Sequence, residues 1–228
     1  MRRFATTLLL AAGIAGTVAI HPASAQQVLM DYVGFDYENP IVVPNTFGGV
    51  GNGYVGVGEV PLINAPLVVD FTNFQYTYHI TGLTASSRLV NGDFVVVNYS
   101  GPGTLTLYED PKSTGSPFDY GSFPPNPTAP STFIDGTPVL VGKLTNFQLI
   151  YSTFSGSGSY ESDFEVVGGS QYGNIPADQR NGWQFAGLTK NTISVPEGYA
   201  HQVKGEAMIP QPTPTRTSSW GQLKRIYR

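Results

Sequence analysis

Hydrophobic and polar residues alternate along much of the chain, and this pattern predicts short β-strands. Residues 74–81, FQYTYHIT, alternate without a break, so every second side chain is expected on the same face of a strand. The residues predicted to face the core are Phe74, Tyr76, Tyr78 and Ile80, and those predicted to face water are Gln75, Thr77, His79 and Thr81. The segment therefore predicts a half-buried strand.

Turn signals separate further segments of this kind. Asn91-Gly92 stands between two apolar runs in residues 88–97, RLVNGDFVVV, and predicts a β-hairpin. Residues 159–167, SYESDFEVV, alternate again, with Tyr160, Phe164 and Val166 on one predicted face and Glu161, Asp163 and Glu165 on the other. With 27 glycines and 18 prolines to form turns, we predict an all-β domain with a β-sandwich or jelly-roll architecture.

Two pairs of segments match each other in the same order. Residues 65–80, APLVVDFTNFQYTYHI, match residues 137–152, TPVLVGKLTNFQLIYS, and GDFVVVN at 92–98 matches SDFEVVG at 162–168. We interpret the matches as an internal duplication, with related halves around 65–98 and 137–168 and a long proline-rich loop at 109–136. The alternative is that strand-favouring residues converged on similar patterns.

The first 25 residues have the pattern of a secretory signal peptide. Arg2 and Arg3 precede an apolar run at residues 8–20, and Ala23-Ser24-Ala25 fits cleavage before Gln26. The alternative is an uncleaved anchor, for which the apolar run is short. We therefore expect an exported protein that is extracellular or at the cell surface, with the periplasm as a further option.

Charge divides the remaining chain into an acidic body and a basic end. Residues 26–215 contain all 16 acidic residues and six basic ones, a formal charge of −10, whereas residues 216–228 contain four basic residues and no acid. An acidic body argues against nucleic acid or an anionic membrane as its partner. The chain has no cysteine, so residues 26–209 must fold around one core without disulfides.

A proline-rich spacer at residues 210–219 precedes a basic amphipathic tail at residues 220–228. If these nine residues form a helix, one side carries apolar groups and the last turn carries cations that suit the helix dipole. The residues of this amphipathic tail are Trp220, Leu223, Lys224, Arg225, Ile226, Tyr227 and Arg228. We consider three roles: a disordered end, a segment that folds back onto the acidic body, and a tag for an export or surface-attachment partner.

The segment ESDFEVVGG at 161–169 resembles the catalytic strand of laminarinase- and lichenase-type glycoside hydrolases, which are jelly-roll enzymes. The resemblance implies that Glu161 is a nucleophile, that Glu165 is an acid/base and that Asp163 tunes the pair. Asp163-Phe164 is matched in the repeat by Asp93-Phe94, where no glutamates flank it. We therefore favour a second interpretation, in which the carboxylates form a solvated outer face of the sheet.

Signals for a metal or cofactor are weak. His79 and His201 are the only histidines after residue 25, and both are predicted to be exposed strand residues. Carboxylates that could donate oxygens to calcium occur near the first strand and in the long loop, without the spacing of a calcium loop. They are Asp31, Asp36, Glu38, Glu109, Asp110, Asp119 and Asp135. We predict no cofactor and leave calcium as an open alternative.

Residues 130–208 resemble a broad set of bacterial exported β-sandwich domains of unknown function, many of which carry a PEP-CTERM-type sorting segment. This chain departs from them because its end contains no apolar anchor helix. The resemblance and the leader together predict an exported, non-catalytic β-sandwich module with a structural or binding role. The alternative is a jelly-roll glycoside hydrolase that uses Glu161, Asp163 and Glu165.

Overall fold

A computed structural model describes residues 26–40 and 49–210 of the chain. This part contains nine β-strands and three short 3-10 helices, so the predicted all-β class is confirmed. The strands are β1 (Gln26–Asn39), β2 (Gly53–Ile63), β3 (Phe74–Asn91), β4 (Phe94–Ser100), β5 (Gly103–Pro111), β6 (Thr137–Ser152), β7 (Ser157–Gly168), β8 (Trp183–Lys190) and β9 (His201–Pro210). The 3-10 helices are Ser131–Phe133, Tyr172–Asn174 and Ala177–Gln179.

The strands form a closed antiparallel barrel in which neighbours along the chain are neighbours in the wall. β1 pairs with β2, β2 with β3, and β6 through β9 pair in succession. β9 then pairs with β1 and closes the ring. β5 and β4 lie end to end between β3 and β6, with β5 against one half of each and β4 against the other half. Eight strands thus close the barrel, and β4 extends its wall.

The closed barrel differs from the predicted sandwich or jelly roll. Alternation in the sequence specifies that a strand has two different faces, and this is equally true of both architectures. The deciding feature is the pairing of β1 with β9, in which Asp36 lies opposite His201. Closure pairs the backbone groups that an open sheet would leave at its edges.

Aromatic side chains fill the interior of the barrel. Tyr32 and Phe185 stack with their ring centroids 4.7 Å apart, and the hydroxyls of Tyr32 and Tyr160 lie 2.7 Å apart. Tyr32 donates to the Ala186 carbonyl at 3.1 Å, so the single hydroxyl hydrogen of Tyr160 is directed to Tyr32. A Cβ at Gly187 would collide with the Tyr160 hydroxyl. Small residues opposite large ones are what a narrow barrel requires.

The predicted hairpin and the predicted alternation of residues 159–167 are both confirmed. β3 and β4 are joined at Asn91-Gly92-Asp93, and Gly92 has a φ of 57°. The segments that match in sequence, however, differ in structure. Residues 65–70 precede β3 in a loop, whereas residues 137–142 begin β6. Phe94 is 56% exposed and its counterpart Phe164 is 2% exposed.

The proline-rich segment covers the outer face of β1, β2 and β3. β5 extends to Pro111, three residues into the predicted loop, so Glu109 and Asp110 belong to a strand. Residues 112–136 then pack Phe133 and Ala129 against outward-facing residues such as Tyr37 and Val57 and form a second core. The prediction that Thr77 faces water is therefore wrong: Thr77 is 2% exposed, and its hydroxyl donates to the Phe133 carbonyl at 2.8 Å.

Candidate functional site

The three carboxylates of the hydrolase-like segment lie on the outside of the barrel. Glu161, Asp163 and Glu165 are exposed, whereas Tyr160 and Phe164 on the same strand point inward. Asp163 accepts a hydrogen bond of 2.6 Å from the Asn146 side-chain amide. The structure therefore places all three carboxylates on one strand face, as the alternation predicts.

The outer face of a barrel is convex, and this geometry bears on what the carboxylates can do. Glu161 and Glu165 are four residues apart, which is about 13 Å along a strand. A retaining glycosidase needs two carboxyl groups about 5 Å apart on either side of the bond that is cleaved. Side chains diverge across a convex face, and Glu165 does not line the groove that Glu161 borders on this face. This placement therefore favours the solvated-face interpretation over the catalytic one.

A cluster of buried polar side chains lies inside the barrel at the end where β1 finishes and β9 begins. Asp36 and His201 are directly opposite each other on these strands, with 3.0 Å between Oδ1 and Nδ1. Both side chains are buried, and the Tyr151 ring packs against the imidazole at 4.8 Å between centroids. An aspartate that orients a histidine is also found in hydrolytic enzymes, but a substrate reaches this pair only if the end of the barrel opens.

Glu38 forms the second part of this end cluster. Its Oε1 accepts a hydrogen bond of 3.1 Å from the Tyr99 hydroxyl, and its Oε2 accepts one of 3.3 Å from the Asn52 amide. Burial, and then the negative charge of Glu38, hold the pKa of the Tyr99 hydroxyl well above its usual value. Tyr99 therefore remains a hydrogen-bond donor, and the cluster ties β1, β4 and the residues before β2 together.

The burial of His201 corrects the prediction that this residue is exposed. A signal for it is present in the sequence: in residues 201–209 the alternation places His201 on the same face as Val203, Ala207 and Ile209, which are all buried. Asp36 and Glu38 likewise alternate with Tyr32 on β1. What the sequence does not show is that β1 and β9 are adjacent.

The calcium alternative finds no geometric support in the part of the chain that the structure describes. Asp36 and Glu38 point into the barrel, and Asp31 lies on the opposite face of the same strand. Among the described residues, no group of three or more His, Asp or Glu side chains is arranged to hold a metal ion.

An exposed apolar groove lies on the outside of β6 to β9. The groove has a volume of about 570 Å³. Its apolar walls are Ile150, Leu188 and Met208, and it continues toward Phe94. The charged side chains along it are Glu161, Lys190, Lys204 and Glu206. We call these eight residues the outer patch.

The leader at 1–25, the spacer from residue 211 and the tail at 220–228 lie outside the described residues, so their assignments stay predictions. Residues 26–40 and 49–210 contain no helix that is long and apolar enough to cross a membrane. Comparison of the chain with models of protein families, with curated proteins and with solved structures gives no match.

Proposed function

We propose that this protein is an exported, non-catalytic module that binds a partner through the outer patch. Export is supported by the signal-peptide pattern of residues 1–25. Binding is supported by the outer patch, in which Phe94, Ile150 and Leu188 are 56%, 40% and 66% exposed. Exposed apolar side chains that adjoin one another and have a charged rim are typical of interaction sites.

The filling of the barrel favours the outer surface as the binding site. Barrels of eight strands are just wide enough for side chains to fill, or for one small ligand. Here Tyr32, Tyr78, Tyr160 and Phe185 occupy the middle of the barrel, in contact with one another. A ligand inside would have to displace this core, whereas a partner outside meets side chains that are already exposed.

The absence of cysteine from the chain allows a direct test of the proposal. Leu188→Cys places a thiol in the outer patch, and Val68→Cys places one at an equally exposed position outside it, since Leu188 is 66% and Val68 70% exposed. Each variant of the full chain is produced in the organism that makes the protein. Intact cells are then treated with a maleimide that does not cross membranes, and the labelling rates are compared with those in 6 M urea.

We expect the thiol of the Val68→Cys variant to be labelled quickly in intact cells. The thiol of the Leu188→Cys variant should be labelled at least about tenfold more slowly, because the partner covers it. In urea both thiols should react at the same rate. Equal labelling of the two thiols in intact cells would contradict the binding proposal. Labelling of both only after lysis would contradict export.

A further inference from the structure

We propose that the outer patch binds the same patch on a second copy of this chain, forming a two-fold symmetric dimer. This inference rests on the proposed function and names its partner. The strand register arranges the outward-facing residues in three rows across the barrel wall, and each row contributes a different property.

The middle row supplies the apolar contact. Ile150, Ser159 and Leu188 lie directly opposite one another on β6, β7 and β8, and Lys204 ends the row on β9. Ser159 is small, so it leaves a shallow depression between two larger apolar groups. Sheets pack face to face at about 10 Å, a separation at which apolar side chains of this size on the two faces meet.

The rows on either side carry opposite charges. On one side, Lys190 lies in a row with Phe94, Ser152 and Ser157. On the other side, Ala186 lies between Glu161 and Glu206. Lys190, Glu161 and Glu206 are all exposed. One edge of the patch is therefore basic, and the opposite edge is acidic.

This arrangement is complementary to itself. In face-to-face packing, the two-fold axis of a symmetric dimer lies in the plane of the interface. If that axis follows the middle row, Leu188 meets Leu188 of the second copy, and Lys190 lies over Ala186 of the second copy, between Glu161 and Glu206. Lys204 continues the middle row on β9, so at the rim it lies near Lys204 of the second copy, where these long side chains reach water.

The charges also favour a second copy over other occupants. The patch carries two lysines and two glutamates, and an isologous interface needs both signs within one surface. A nucleic acid or an anionic membrane would require clustered basic residues. The patch also extends over β4 and β6 to β9, a width of about 20 Å at the usual strand spacing, which is larger than a single small molecule occupies.

Sedimentation equilibrium of the protein purified after expression of the full chain tests the dimer. We expect a dimer at tens of micromolar protein. Leu188→Asp should weaken its dissociation constant by more than about a hundredfold, because two uncompensated charges would be buried. Val68→Asp, at a similarly exposed position outside the patch, should leave the dimer intact. A wild-type monomer at 0.5 mM, or a folded Leu188→Asp dimer, would overturn the proposal.

A charge exchange keeps the test decisive if Leu188→Asp does not fold. Lys190→Glu alone and Glu161→Lys alone should each weaken the dimer about two- to tenfold, because two equivalent pairs become repulsive. The double variant should restore most of the wild-type affinity. Failure of the double variant to restore it would overturn the proposed orientation. If the protein is a monomer but the thiol of the Leu188→Cys variant is still protected in cells, the dimer fails and the proposed binding function stands.

Discussion

Outward-facing apolar residues are covered in one region of the barrel wall, the covered side, and exposed in another. On the outside of β1 and β2, Tyr37 and Val57 are buried beneath Phe133 and Tyr199. On the outside of β6 and β8, Ile150 and Leu188 remain exposed. The comparison shows that a segment of the chain covers the apolar residues in one region of the outer face and leaves those in the other region open.

On the covered side, aromatic residues of the proline-rich segment pack over the barrel wall. Phe118 and Tyr120 contact Phe133 with ring centroids 5.5 and 4.9 Å away, and Tyr120 also contacts Tyr199. The Tyr199 hydroxyl donates to the Tyr120 carbonyl at 2.7 Å. The segment therefore folds as part of the domain, and variants on the two sides should have very different effects on stability.

Phe133→Ala should have the largest effect. Phe133 is fully buried between the barrel wall and the aromatic residues of the segment. Truncating a buried phenylalanine costs about 3–5 kcal/mol, because apolar contact is lost and a cavity remains. Urea unfolding measures the change in the free energy of unfolding. The control is Phe154→Ala at an 87% exposed position, which should change stability by less than about 0.5 kcal/mol. Equal effects would mean that the segment does not pack as described.

The covered side also contains a titratable group, so the stability of the protein should depend on pH. His79 lies on the outer face of β3 between Val57 and Thr106, and burial lowers its pKa to about 4. An unfolded histidine has a pKa near 6.5, so the unfolded state binds the proton more tightly. The stability that depends on a neutral His79 is therefore fully present above pH 6.5, and it is lost as the pH drops toward 4.

A variant isolates the contribution of His79 from that of the carboxylates. Between pH 7 and pH 5, the wild-type protein should lose about 1–2 kcal/mol more stability than His79→Gln. Urea unfolding of both proteins at the two pH values measures this difference. Arg88→Gln, which changes an exposed charged group outside both the covered side and the outer patch, serves as a control and should follow the wild-type protein. Identical pH profiles for wild type and His79→Gln would show that the imidazole of His79 is fully exposed to water in solution.

The comparison also explains what the sequence could predict. Local patterns decided the all-β class, the hairpin at Asn91-Gly92 and the outward direction of Glu161, because these depend on neighbours along the chain. Closure of the barrel depends on β1 and β9, and the burial of His201 depends on Asp36, which is 165 residues away. Period-two alternation carries no information about such distant partners.

Local sequence patterns likewise could not predict whether an outward-facing residue is exposed. Thr77 and Leu188 both point out of the barrel, yet Thr77 is 2% and Leu188 66% exposed. The difference arises because residues 112–136 pack over Thr77. The sequences of the strands do not show where this segment packs. For the same reason, the sequence showed the carboxylates of β7 but did not show that Glu161 borders an apolar groove.

Thr77→Val should have an intermediate effect. The substitution keeps the shape of the side chain but removes the hydroxyl that donates to the buried Phe133 carbonyl. A buried acceptor that loses its donor costs about 1–2 kcal/mol. The matched control is Thr81→Val, since Thr81 is exposed on the same face of β3, and it should be nearly neutral. Equal urea midpoints for the two variants would argue against this hydrogen bond.

Leu188→Ala should have the smallest effect on folding, because its side chain is exposed and few contacts are lost within one chain. Val57→Ala is the counterpart on the covered side, where the side chain is fully buried, and it should cost about 2 kcal/mol. Unfolding is measured at a protein concentration at which sedimentation shows only monomer, so that association does not add to stability. Under these conditions Leu188→Ala should change the free energy of unfolding by less than about 0.5 kcal/mol. A loss of stability as large as that of Val57→Ala would mean that contacts within one chain bury Leu188. The outer patch would then not be free to bind a partner.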